Sequence, residues 1–300
     1  MNHILMSVKL NNSNNIYKPF HSFTSHLLLL LSPSSSSLRF VGVTKALPTT
    51  FTLNSHSTHS FIMAQSSINH DSLLSDSYPY LEYAEIVVVR HGETAWNADG
   101  RIQGHLDVEL NEAGRQQAAS VADRLSKEPK ISAIYSSDLH RAFETAQTIA
   151  SRCGGLEVIK DYDLRERHLG DLQGLVSREA AKTNPMAYKA LISKNEDQEL
   201  PGGGESIVQL YDRCTSALLR IGSKHKGERI VIVTHGGFIR SLYKWACPNG
   251  RPSGKIHNTS VNVFHLYDDD KWTLKVWGDI SHLHQTGYLQ SGFGGDRTSA

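Results

Sequence analysis

From Glu85 onward the chain alternates short β-rich runs with longer stretches of helical periodicity, and that alternation narrows the accessible folds more than any other feature. Ile86–Val89 is a continuous apolar run of the kind buried on both faces of a parallel sheet. Asn111 predicts a helix N-cap, with Ala118, Val121, Ala122 and Leu125 on one face of the helix it opens. A strand over Ile131–Tyr135 and a helix from Asp138 through Ala150 follow, Asp138 being a residue of the capping type. A further helix beginning near Glu205 carries Ile207, Leu210, Tyr211, Cys214, Ala217, Leu218 and Ile221 at helical spacing, which reads as core. Arg229–Val233 predicts another buried strand, followed by a helix through Leu242 and Trp245. Val261–Leu266 and Trp272–Trp277 predict two last strands, joined by the turn Asp268-Asp269-Asp270. Strands alternating with helices imply an α/β fold, a three-layer α/β/α sandwich with a mostly parallel central sheet and right-handed crossovers. In such sheets reactive groups gather on the loops beyond the carboxyl ends of the strands.

The composition changes along the chain. Residues 1–62 contain four cations, Lys9, Lys18, Arg39 and Lys45, and twelve serines but no acid, the first being Asp71. A basic, serine-rich, acid-free start is transit-peptide-like, which implies a plastid; it reads equally as a disordered extension, with Met63-Ala64 beginning a cytoplasmic protein. The Leu27–Leu31 run is too short to span a bilayer. Residues 63–83 then read as a leader, 84–292 as the folded domain and 293–300 as a flexible tail. With 31 basic and 30 acidic residues overall, nothing in the charge points to nucleic acid or a membrane as partner. Cys153, Cys214 and Cys247 are odd in number and widely separated, so they read as buried small hydrophobes and not as a disulfide or zinc framework.

Two histidines stand where predicted strands end. Arg90-His91-Gly92-Glu93-Thr94 follows the first strand, and Thr234-His235-Gly236-Gly237 follows Arg229–Val233. One histidine on a loop is usually structural or solvated. Two at equivalent topological positions, one beside an arginine, can meet in one pocket at the carboxyl edge. Among the other histidines, His105, His140, His225, His257, His265, His282 and His284 show no metal-ligand spacing and read as solvated surface, while His168 is a candidate for the pocket wall.

Arg90-His91-Gly92-Glu93-Thr94 with Trp96-Asn97, Gln103-Gly104, Ser136-Ser137-Asp138-Leu139 with Arg141-Ala142, Glu166-Arg167, Gly203-Gly204-Glu205-Ser206 and Thr234-His235-Gly236 resemble the ordered motifs of the histidine phosphatase superfamily, phosphoglycerate mutase-like branch. The segment from Ser281-His282-Leu283 through Gly295-Asp296 resembles in particular its plant members described as metal-independent phosphoserine phosphatases or phosphoglycerate mutase-like proteins. The resemblance implies that a small phosphorylated metabolite is the partner and that His91, Glu166 and His235 are catalytic. It implies that His91 attacks phosphorus to give a phosphohistidine, that His235 donates a hydrogen bond and is protonated in the substrate complex, and that Glu166 protonates the leaving group and then activates water. Arg90, Arg141, Asn97, Gln103 and Gly104 then form the phosphate site. Elementary chemistry supports this: a phosphomonoester dianion resists nucleophiles until its oxygens are neutralised, and two guanidinium forks can grip it bidentately. A metal or other cofactor is redundant. Asn97 also reads as a loop Asx turn, and Glu93 and Glu205 read as structural. Many members are dimers, so the resemblance leaves a homodimer open, although no segment of the sequence marks an interface.

Mutases of the family carry a Lys eleven residues after the general acid, an Arg pair in a long insertion and an Asn after the second His-Gly. This chain has Ser177 and Gly237 at the matching positions, and the 69 positions from Glu166 to His235 are too few for that insertion. Hydrolysis is therefore expected, with phosphoserine the leading substrate and 3-phosphoglycerate behind it. Phosphoglycerate mutase activity is one alternative, and a non-catalytic phospho-ligand sensor is another. The retention of Arg90, His91, Glu166 and His235 argues against the sensor. The segment from Gly174 to Pro201 is expected to form a lid whose Arg178, Lys182, Tyr188, Lys189 and Lys194 either contact a carboxylate or stand as solvated charges.

Overall fold

The computed structural model describes residues 82–250 and 254–284. The expected transit segment 1–62, most of the leader, residues 63–81, and the tail 293–300 lie outside the described residues.

The strands are β1 (Tyr83–Arg90), β2 (Ala133–Ser136), β3 (Val158–Lys160), β4 (Arg229–Thr234), β5 (Val261–Tyr267) and β6 (Trp272–Asp279). The helices are α1 (Ala95–Ala98), α2 (Glu112–Leu125), α3 (His140–Arg152), α4 (Ala180–Thr183), α5 (Pro185–Leu191), α6 (Ile207–Gly222) and α7 (Gly236–Ala246). One six-stranded sheet runs in the order β3-β2-β4-β1-β5-β6. Its first four strands are mutually parallel, and the β5–β6 hairpin is added antiparallel on the β1 side.

Successive side chains of a strand point to opposite faces, and the apolar runs exploit that period. Ile86, Val88, Ile230 and Ile232 pack against Leu210, Cys214, Ala217, Leu218 and Ile221 of α6 and Phe238, Ile239 and Leu242 of α7. Val87, Val89, Val231 and Val233 pack on the other face against Val121, Ala122 and Leu125 of α2 and Ala142, Ala146 and Ile149 of α3. Burial on both faces is why these runs do not alternate with polar residues. A third, smaller cluster joins Ile102, Leu169 and Leu172 to Ala180, Ala187 and Leu200 of the segment expected to be the lid.

Helix caps explain several boundaries. Asn111 Oδ1 accepts from Gly114 N at 2.8 Å and opens α2 as expected. Ser206 and Gln209 form a reciprocal capping box at α6. Asp138 does not cap α3. That helix begins at His140 with Leu139 at the cap position, because both carboxylate oxygens of Asp138 are held by Arg165 at 2.7 and 2.6 Å. The strand expected from Ile131 starts at Ala133.

Candidate active site

Neighbouring parallel strands set the site. Arg90, the last residue of β1, lies in register with Thr234, the last of β4, and Ser136 at the end of β2 lies in register with Val233. His91, His235 and Ser137 therefore leave the sheet side by side. Backbone bonds continue past the strands, from His91 N to Thr234 O at 2.9 Å and from Ser137 N to Val233 O at 3.0 Å. The imidazoles of His91 and His235 face each other with ring centroids 5.1 Å apart.

The loop after His91 is held by close contact with the start of α2. A Cβ at Gly92 would lie 2.5 Å from Gly114 O, so only hydrogen fits there. Gly92 N donates to Thr145 Oγ1 on α3 at 3.0 Å. Thr94 caps α1 in a reciprocal box with Asn97, whose Oδ1 accepts from Thr94 N at 3.1 Å. The amide oxygen is thereby committed, and Nδ2 is the end of Asn97 that can address an anion. The same logic holds for Gln103, whose Oε1 accepts from Thr94 Oγ1 at 3.0 Å. Gly104 turns the loop at φ +53°, a left-handed conformation suited to glycine. The turn aims its carbonyl at Arg141 Nη2, 2.7 Å away, while Arg141 Nη1 donates to Leu106 O at 2.9 Å.

His91 Nδ1 lies 2.6 Å from Gly92 O. A carbonyl only accepts, so Nδ1 carries the proton and Nε2 presents its lone pair. Burial, reinforced by the positive charge of Arg141, holds both His91 and His235 well below the usual imidazole range. Both imidazoles are thereby biased toward the neutral form. Arg141, fully buried, is itself brought down to about 10 by burial. Arg141 Nε and His235 Nδ1 are buried without a hydrogen-bond partner among the described residues, the kind of polar atom that an oxyanion would satisfy. His235 Nε2 is 2.9 Å from Ser137 Oγ.

Glu166 completes the cluster. Its Oε1 accepts from Arg167 N at 2.9 Å and Gly237 N at 3.0 Å, which ties the carboxyl to the first turn of α7 just after His235. Burial raises its pKa although these two donors and the charges of Arg141 and Arg90 pull the other way. The site thus joins a free imidazole lone pair, two guanidiniums, a second imidazole and a carboxyl biased toward its protonated form. The model of the histidine phosphatase superfamily (branch 1) matches residues 86–280.

The chain belongs to the histidine phosphatase superfamily. It is a phosphoric monoester hydrolase of the histidine phosphatase type. It is 72% identical over 219 residues to phosphoglycerate mutase-like protein 4 of Arabidopsis thaliana, covering 73% of this chain and 95% of that one. It is 53% identical over 215 residues to a metal-independent phosphoserine phosphatase of the same plant, covering 72% and 90%. Among solved structures, Bacillus stearothermophilus YhfR superposes with a TM-score of 0.61 at 31% identity, over 67% of this chain and all of that one.

The other side chains singled out in the sequence fare differently from one another within this histidine phosphatase. Arg178, Lys182, Lys189 and Lys194 of the expected lid are exposed, and only Tyr188 packs inward, against the small third core. Cys214 is buried as expected, whereas Cys153 and Cys247 are only partly covered. Four histidines read as solvated are drawn into the fold, among them His282, whose Nε2 lies 3.2 Å from Thr259 Oγ1. His105 Nε2 meets Glu166 O at 2.6 Å, His225 bridges Tyr135 and Glu228, and His265 is buried against Tyr83 and Glu85. Glu93 and Glu205 are structural as read: Glu93 accepts from Asn111 Nδ2 at 2.8 Å, and Glu205 pairs with Arg213 at 2.7 Å.

Four supporting residues were given no role by the sequence, Ser137 standing there only as part of a motif. Asn258 Nδ2 donates to His91 O at 3.0 Å, and Thr259 N donates to Arg90 O at 3.0 Å, so the segment before β5 steadies the backbone of Arg90 and His91. Arg213 donates to the carbonyls of Asp163, Arg165 and Glu166, which fixes the acid loop from α6. Ser137 supports His235. The buried polar run Asn258-Thr259-Ser260, just ahead of a strand, is the pattern that could have pointed to the first two.

Proposed function

We propose that this histidine phosphatase hydrolyses a small phosphorylated acid, phosphoserine first, through a phosphohistidine on His91, without a metal. The observation that carries the reading is the Nδ1–H tether of His91 to Gly92 O, which leaves Nε2 basic among Arg90, Arg141 and His235.

Arg90 and Arg141 neutralise the phosphate oxygens, with Asn97 Nδ2 and Gln103 Nε2 as uncharged donors beside them. His91 Nε2 attacks phosphorus in line; the N–P bond forms as the ester P–O bond breaks. Glu166, whose burial favours the protonated form, gives its proton to the departing alkoxide. In the second step Glu166 takes a proton from water, whose oxygen attacks phosphorus, and the N–P bond breaks to release inorganic phosphate. The arriving dianion brings negative charge beside the ring, so His235 takes up a proton as substrate binds and donates to a phosphate oxygen.

The name of the metal-independent phosphoserine phosphatase relative supports the choice of substrate. The exposure of the lid cations supports hydrolysis over mutase chemistry, since an isomerase must hold a bisphosphate intermediate away from water. A phosphate-release panel of phosphoserine, phosphoglycerates and sugar phosphates in EDTA tests the reading. It expects phosphoserine to be turned over fastest and His91→Ala to be inactive. Conversion of 3-phosphoglycerate to its 2-isomer faster than phosphate appears would overturn it. For residues 1–62 we propose the transit role, which sequencing the mature N-terminus checks.

A further inference from the structure

We infer that His105 is a positioning residue that fixes the distance between the phosphate-binding loop and the general acid, an inference that rests on the acid role proposed for Glu166. His105 lies between the two carbonyls, Gly104 O and Leu106 O, that hold the Arg141 guanidinium. Its backbone N donates to Gln173 Oε1 at 2.7 Å, and its side chain reaches the other way, Nε2 meeting Glu166 O at 2.6 Å. Because that carbonyl only accepts, Nε2 carries the proton. Burial brings His105 down to about 4, so the ring stays neutral through the working pH range and holds one tautomer. Edge-on contact with His168, 4.8 Å between centroids, and with Tyr162 at 6.1 Å fixes the plane of the ring.

One imidazole therefore spans two parts of the site that come from distant segments. On one side are Gln103, Gly104 and the clamp Arg141; on the other is the peptide of Glu166, whose carboxyl must meet the leaving oxygen. Arg213 Nη2 also donates to Glu166 O, at 3.1 Å, but it anchors the acid loop to α6 and not to the phosphate site. His105 touches no reacting atom. Without it the acid can drift relative to the bound phosphate, and misplacement of about 1 Å costs on the order of 100-fold in rate.

The test uses leaving groups that differ in their need for a proton, read as kcat/KM in the full-length enzyme. p-Nitrophenolate departs without general acid help, whereas the alkoxide of phosphoserine does not. His105→Leu should lower kcat/KM for phosphoserine by roughly 10- to 100-fold and that for p-nitrophenyl phosphate by less than about threefold. His105→Gln, whose Nε2–H reaches the same carbonyl, should recover most of the phosphoserine activity. Equal losses on both substrates, or no loss on either, would overturn the inference. Glu166→Gln serves as the reference and should show the same selectivity, only larger. If Glu166→Gln is selective and His105→Leu is not, the positioning role alone fails. If Glu166→Gln lacks selectivity, the acid role fails and the positioning role falls with it.

Discussion

Replacing Gly92 by alanine tests how the fold builds the nucleophile loop. The added methyl would sit 2.5 Å from Gly114 O, 3.0 Å from Gly114 C and 3.2 Å from Gly114 Cα. Relief requires the loop and the first turn of α2 to separate by roughly 1 Å, since carbon and oxygen pack at van der Waals distance. Neither side yields easily. Gly114 N is tied to Asn111 Oδ1 at 2.8 Å, Asn111 N to Glu93 O at 3.0 Å, and Gly92 N to Thr145 at 3.0 Å. The backbone of Gly92 is not in the left-handed region, so the cost is contact alone. Overpacking of this kind costs about 1–3 kcal/mol. Alanine also restricts the unfolded chain, which returns about 0.4–1 kcal/mol. The net expectation is a loss of about 1–2 kcal/mol, which lowers the melting midpoint by roughly 2–8 °C for a domain of this size. Urea denaturation should show a lower midpoint at an unchanged slope, and kcat should fall because Gly92 O is the acceptor that orients His91. An unchanged or raised midpoint would refute the close-contact reasoning.

Other consequences follow from the buried charges. Arg141→Lys cannot hold Gly104 O, Leu106 O and a phosphate together, so the inhibition constant for inorganic phosphate should rise at least roughly tenfold, as titration calorimetry would show. Glu166→Gln keeps an oxygen for Arg167 N and Gly237 N, so it should fold normally while kcat/KM for phosphoserine drops about 10²–10⁴-fold. It should also lose the alkaline limb of the pH–rate profile, because the wild-type acid must be protonated to act. For stability, His91 and His235 have folded pKa values below the unfolded value of about 6.5. Their stabilising contribution is therefore present above about pH 6.5 and is lost as pH falls below it, when the unfolded chain binds the protons. The double variant His91→Gln/His235→Gln should lose less stability between about pH 6.5 and 5 than wild type does in urea titrations.

The architecture was readable because its strands are buried on both faces and its helices carry clear stripes. Ile86–Val89 and Arg229–Val233 announce parallel strands by being apolar throughout, and Asn111 announces α2 by its capping chemistry. β3 escaped because three residues, Val158–Lys160, are too few to show a period. Asp138 misled because a cap is a local inference, whereas its actual partner, Arg165, lies 27 positions away and offers a bidentate, charge-assisted pair. In the site, Arg90, His91, Arg141, Glu166 and His235 were legible as motifs. The residues that orient them were not. His105, Asn258, Thr259 and Arg213 act through backbone carbonyls, and contacts with the main chain leave no pattern of residue types. His105 and His265 look like surface histidines in sequence, and only tertiary packing removes them from water.

The most direct measurement is rapid acid-free quenching of the enzyme during phosphoserine turnover, followed by mass spectrometry of its peptides. An acid-labile, alkali-stable phosphoryl group on the peptide containing His91, absent from His91→Ala, is the predicted result. A phosphoryl group on any other residue, or steady release of phosphate by His91→Ala, would contradict it.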